Sequence, residues 1–128
     1  MNSIDSILLS LEGKCRMNIS APASKDMLDK ILKLYPIQFR TIEDLYAITD
    51  GVEIDVPGTV LYSIERILSV NESGLKDDYL EIGHMNFGDT ISINSEGKVV
   101  QIEHETGDVF LDWDSLEAFL KDELEALS

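Results

Sequence analysis

Residues 79–127 read YLEIGHMNFGDTISINSEGKVVQIEHETGDVFLDWDSLEAFLKDELEAL. Three glycine-bearing turns, Asn86-Phe87-Gly88-Asp89, Ser95-Glu96-Gly97-Lys98 and Glu105-Thr106-Gly107-Asp108, cut this stretch into four short strand candidates, and a helix closes it. Strand-forming runs separated by such turns about every ten residues predict an antiparallel meander. Alternation then assigns faces. Leu80, Ile82 and His84 share one side of the first strand, Ile91 and Ile93 one side of the second, and Val100, Ile102 and His104 one side of the third. Glu81, Ser92, Gln101 and Glu103 take the other side, the period of two that a sheet with one covered and one polar face requires.

Ahead of the meander the period changes to that of helices. Ile4, Ile7, Leu8 and Leu11 recur at helical spacing, with Ser3 as N-cap and Gly13 as stop; residues 14–23 read as irregular. A second helix opens at Ser24, buries Met27, Leu28, Ile31, Leu32 and Tyr35, and ends before Pro36. Pro36 begins a third helix carrying Phe39, Ile42, Leu45 and Tyr46, which Asp50-Gly51 terminates. Val52, Ile54 and Val56 alternate as a short strand, Pro57-Gly58 turns, and Val60-Leu61-Tyr62 makes another. Ser63 caps a brief helix to about Val70, and residues 71–78 form a polar loop. Asp114, with Glu117 three residues on, starts the last helix, whose apolar side holds Leu116, Phe119, Leu120, Leu124 and Leu127. Each helix has one apolar stripe and the sheet one apolar face. The expectation is a single α+β domain over residues 1–128, with N-terminal helices on one face of an antiparallel sheet and a C-terminal closing helix.

The chain has 128 residues, enough for a sizeable core. Twenty-five acids against ten bases give a formal charge of −15. The imbalance is uneven: nine acids against six bases in residues 1–64, sixteen against four in residues 65–128. Such a surface serves solubility, and it also suits a basic partner. It argues against direct contact with nucleic acid or anionic membrane, both of which need Lys/Arg patches. Cys15 is the single cysteine, the N-terminus lacks a basic signal region, and no apolar run approaches a membrane span, so a cytoplasmic location is expected.

Residue chemistry does not point to an enzyme. His104-Glu105 begins like a zinc-protease motif, but position 108 is Asp and a turn replaces the helix that the motif needs. His84 and His104 read as strand-end histidines with a satisfied ring nitrogen. Asp50-Gly51-Val52-Glu53-Ile54-Asp55 echoes a calcium loop without its closing Glu. Cys15 has basic neighbours but no orienting His nearby, and Trp113 falls where core packing is its default role. No catalytic, cofactor or metal residue is assigned.

The order of short motifs resembles the SUKH superfamily, also called the SMI/KNR-type domain, over about residues 22–127. Tyr35-Pro36 with a helix ending in Asp50-Gly51 is similar to its "LP…NG" segment, and Leu61-Tyr62-Ser63-Ile64 to its strand leading into a short helix. Ile82-Gly83-His84, Phe87-Gly88-Asp89 and His104-Glu105 fall where that family has "IG", "GD" and "H-[DE]". Asp114-Ser115-Leu116 with Phe119-Leu120 resembles its closing helix. Asp50 stands where Asn is commoner, and the segment between Gly51 and Tyr62 is short. The resemblance implies an α+β fold without catalytic residues, in which Gly83, Gly88, Asp89 and Gly107 serve the fold. It also implies a binding role: most bacterial members look like immunity proteins that neutralise a cognate toxin, while fungal relatives act as interaction modules in cell-wall regulation.

The leading expectation is an immunity protein that blocks a basic protein toxin, a nuclease for instance. The alternatives are a regulatory interaction module and a metal-dependent hydrolase using His84, His104 and nearby carboxylates. Glu53, Asp55, Asp77, Asp78, Glu81 and Glu103 are the expected contact residues, with Glu81 and Glu103 sharing the outward sheet face.

Overall fold

The computed structural model describes residues 3–55, 58–75 and 78–125. Their elements run α1 (Ser3–Glu12), β1 (Met17–Ile19), α2 (Lys25–Leu34), α3 (Pro36–Arg40), α4 (Glu43–Tyr46), β2 (Val52–Ile54), β3 (Thr59–Leu61), α5 (Ile64–Val70), β4 (Leu80–Met85), β5 (Thr90–Ile93), β6 (Val99–Ile102), β7 (Val109–Trp113) and α6 (Leu116–Glu125). The strands make one seven-stranded sheet in sequence order, antiparallel at every step. The α+β class and the meander are as the turns predict. Gly88, Gly97 and Gly107 sit at φ +105°, +82° and +77° in the three hairpin turns.

Several boundaries differ from expectation. Residues 17–19, read as irregular, form edge strand β1 against β2. Its sequence Met-Asn-Ile is too short to show a period, and pairing makes the strand. The predicted third helix divides into α3 and α4. Between them the Thr41 hydroxyl donates to the Gly97 carbonyl at 2.8 Å, and Ile42 takes φ −116°, ψ 0°. The break lets Phe39, Ile42, Leu45 and Tyr46 all reach the core fully buried. Ser24 and Ser63 cap α2 and α5 as predicted, each accepting at 3.2 Å from the N–H three residues on. In α6 the cap is Ser115, which accepts from the Ala118 N–H at 3.1 Å. Asp114 instead stands 3.5 Å from Lys98. Ser3 is the first residue of α1, not its cap. Val56, Pro57 and Leu127 lie outside the described residues.

Two face assignments are overturned. A bulge between Glu81 and Gly83 puts two successive residues on one side of β4. Leu80 and Ile82 face the core as expected, but His84 pairs with Val60 and Thr90 on the outer face. In β6 the inward residues are Val99 and Gln101, opposite Ile93 and Ile91; Val100 and Ile102 turn outward opposite Ser92 and Thr90. Gln101 is accommodated inside because its amide donates to the Asp89 carboxylate at 2.8 Å.

The helices and the inner sheet face share one core, with Ile4, Ile7, Leu8 and Leu11 of α1 buried beside Phe119 and Leu120 of α6 and Ile91 and Ile93 of β5. A ten-residue helix is marginal alone. Four buried aliphatic side chains at roughly 1.5–3 kcal/mol each outweigh that deficit in α1. No helix among the described residues is long and apolar enough to cross a membrane.

Candidate functional site: the outer face of the sheet

The sheet surface away from the core is where most of the expected contact residues gather. Pairing sets one row across it: Asn18, Glu53, Val60, His84, Thr90 and Ile102 are successive partners from β1 to β6. A second row runs Glu81, Ser92, Val100 and Asp112.

Tyr62 stands at the centre. Leaving β3, the chain keeps one more sheet bond, from the Tyr62 N–H to the Ile82 carbonyl at 2.7 Å, then enters α5. The Tyr62 hydroxyl donates to Glu81 at 2.9 Å and lies 3.1 Å from His84 Nδ1. The Arg66 guanidinium sits 4.1 Å above the ring centroid. Burial, then the hydrogen bond and charge of Glu81, push the phenol well above its ordinary range. Tyr62 is therefore a neutral donor that holds the Glu81 side chain in place. From below, buried Tyr46 donates to the Tyr62 carbonyl at 2.6 Å, and burial likewise raises its hydroxyl.

Depressions flank this ridge. One, of about 390 Å³, is lined by Asn18, Glu53, Val60, Tyr62 and Arg66 among others. The other, of about 370 Å³, has Thr90, Ser92 and Ile102 with Glu81, Glu103 and Asn71 around it. Glu81 and Glu103 thus border the same depression, but not by the alternation expected of them: Gln101 faces inward, and Glu103 lies just past the end of β6. Glu53 and Asp55 line a further hollow with His84 at the far end of the row. Glu53 is 3.4 Å from the Asn18 amide, and Asp55 is 3.8 Å from the largely exposed Arg16. Asp78 differs: it has φ +63°, lines neither flanking depression, and its carbonyl accepts from Gln38 of α3 at 3.1 Å. Asp77 lies outside the described residues.

Glu103 has a structural duty. Its carboxylate accepts from the Glu105 and Thr106 N–H groups at 3.1 and 2.7 Å, and these amides hold its pKa below the usual range. Beside it, buried Asp89 accepts from the His104 N–H at 3.1 Å, from His104 Nδ1 at 2.7 Å and from Gln101. The His104 and Gln101 bonds depress Asp89, and Asp89, helped by Glu103, raises His104. Among the described residues, Asp89, Glu103 and His104 are grouped closely enough to contact one cation, with donor atoms all within 4.8 Å. Glu103 is already engaged with the amides of its turn, and Asp89 with His104 and Gln101. The arrangement is a clamp between the residue before β5 and the residues that follow β6.

Sequence reading missed Tyr62, Arg66, His84 and Asn71 as members of this face. The bulge hides His84. Asn71, in the segment read as a loop, is buried; its amide bonds the Ile67 and Glu81 carbonyls at 2.7 and 2.9 Å and accepts from the Glu81 N–H at 3.1 Å. It continues the pairing of β4 where β3 has turned away. Cys15 donates to the Leu11 carbonyl at 3.3 Å, half-buried, consistent with a structural role. Trp113 packs edge-on against Phe119, centroids 4.8 Å apart, and donates to Asp122. No protein-family model and no curated protein matches the chain.

Proposed function

We propose that this chain is a non-enzymatic immunity protein of the SUKH type that binds and neutralises a basic protein toxin in the cytoplasm. The observation that carries the reading is the charge: sixteen acids against four bases in residues 65–128. Glu81 and Glu103 are held on the outer sheet face, with Glu53 and Asp55 on the same face from the first half of the chain. The resemblance of the motif order to SUKH domains supports it further. A toxin that acts on nucleic acid needs a basic cleft for phosphates, and an ordered array of carboxylates can occupy such a cleft and speed its capture. Any toxin domain encoded beside the gene supplies the test. Coexpression should restore growth, and the purified pair should bind. A folded chain that neither binds that domain nor restores growth overturns the proposal.

A further inference from the structure

The opposite side of the sheet has a second unfilled surface. Strand β7 closes the sheet, and among the described residues nothing pairs with its outer edge. Val109, Phe110 and Leu111 are exposed there, as is Phe87 in the β4–β5 turn. Edge strands are ordinarily blocked by lysine, proline or a covering loop. Val109–Trp113, sequence VFLDW, contains neither lysine nor proline. Beside it lies a hollow of about 300 Å³ with Met85, Phe87, Phe110, Leu111 and Trp113 in its wall. Glu123 of α6 also lines this hollow. It is 6% exposed; one carboxylate oxygen accepts from the Thr59 hydroxyl at 3.1 Å, and the other has no hydrogen-bond partner among the described residues. A buried carboxylate oxygen without a partner is costly, and a cation entering the hollow that Glu123 borders would offset that cost.

We propose that the β7 edge and this hollow form a docking site for an extended basic segment of a partner protein, which adds as an eighth strand and places an arginine against Glu123. Strand addition supplies main-chain bonds, and the hollow supplies side-chain selectivity. Arginine fits because its guanidinium stacks on aromatic walls while bonding a carboxylate, and its stem covers apolar surface. Asp122, also in the lining, and the net charge of −15 favour the same sign of partner. Burial raises the Glu123 pKa, in keeping with a carboxylate that lacks its counter-ion. The site lies on the other side of the sheet from Glu81 and Glu103, and the proposal does not depend on the partner's being a toxin.

The test uses two capped pentapeptides, Thr-Val-Arg-Val-Thr and the same sequence with neutral citrulline replacing arginine, titrated to millimolar concentration into the labelled protein. Amide shifts of Val109–Trp113 and the Glu123 carboxyl carbon are followed by NMR. The arginine peptide should move both sets of signals together and bind about tenfold more tightly than the citrulline peptide. Glu123→Gln should remove that difference, and Phe110→Ser, at an exposed position, should weaken both peptides. Should Glu123→Gln fail to fold, the two peptides on the wild-type protein still decide the matter. Equal binding of the two peptides, shifts confined to the outer face, or no shifts at all would overturn the proposal. So would a wild-type dimer in sedimentation that Phe110→Ser converts to monomer, because the edge would then belong to a second copy.

Discussion

Two glycines separate steric from conformational demand. A Cβ on Gly83 would stand 2.2 Å from the Val60 carbonyl oxygen, a backbone atom that cannot move without opening the β3–β4 pairing. At Gly107 the added atom would meet nothing within 4 Å, and the demand is φ +77° alone. Gly83→Ala should therefore abolish the folded state or lower its melting temperature far more than Gly107→Val. The latter should cost about 1–3 kcal/mol, and exposed Glu125→Gln no more than about 0.5 kcal/mol. Thermal melts of the three variants rank them, and equal melts for Gly107→Val and Glu125→Gln would contradict the turn. The Asp89–His104 contact adds a pH signature. Asp89 is depressed, so its contribution is present above 3.8 and lost as pH falls. His104 is raised, so its contribution is complete below 6.5 and fades as pH rises through the folded value. The pair is strongest between those limits. Asp89→Asn should lower the melting temperature by several degrees, with a larger deficit at about pH 5.5 than at pH 8. A deficit independent of pH would mean that the His104 contact adds nothing.

At the scale of elements, turns were legible in the sequence and faces were not. Gly88, Gly97 and Gly107 announce the hairpins because each occupies a backbone region that favours glycine. The face of a strand depends on counting by twos, and one inserted residue reverses the count. The 81–83 bulge does this to His84. In β6 the adjacent Val99 and Val100 leave the parity undecided, and Gln101 enters the interior because Asp89 waits there to receive it. Asn71 was hidden for a related reason: a polar residue after a helix reads as loop, and its bonds to Glu81 join residues ten apart. Glu123 was more accessible. It follows Phe119 by four and Leu120 by three, on the buried stripe of α6. Asn71→Ala exposes the use of the Asn side chain as a strand surrogate. It strands the Glu81 N–H and C=O, at about 1–3 kcal/mol for an unsatisfied buried group. Amide exchange should quicken at Glu81 while Ile91 and Ile93 stay protected. Uniform acceleration across the sheet would show that Asn71 supports the whole fold rather than this junction.

For the whole molecule, the question is whether the acidic outer face recruits a partner or merely keeps the chain dispersed. Glu81 and Glu103 are poor places to ask. One is tied to Tyr62 and the other closes a turn, so reversing either confounds charge with structure. Glu53 and Asp55 are exposed, and their contacts at 3.4 and 3.8 Å are long. The double variant Glu53→Lys, Asp55→Lys should leave the melt within about 1 kcal/mol of wild type. Its control is Glu12→Lys, Glu125→Lys, an equal change of net charge on exposed positions of α1 and α6, in the helical layer. Against a basic partner, association steered by the whole field would slow equally in both variants. Association through the outer face should slow markedly only in the first, and more at low salt than at 0.15 M, where the Debye length is about 8 Å. Stopped-flow association at two salt concentrations makes the distinction. An unchanged on-rate in the Glu53/Asp55 variant would remove that end of the face from the interface. Insensitivity of wild type to salt as well would leave solubility as the use of the acidic surface.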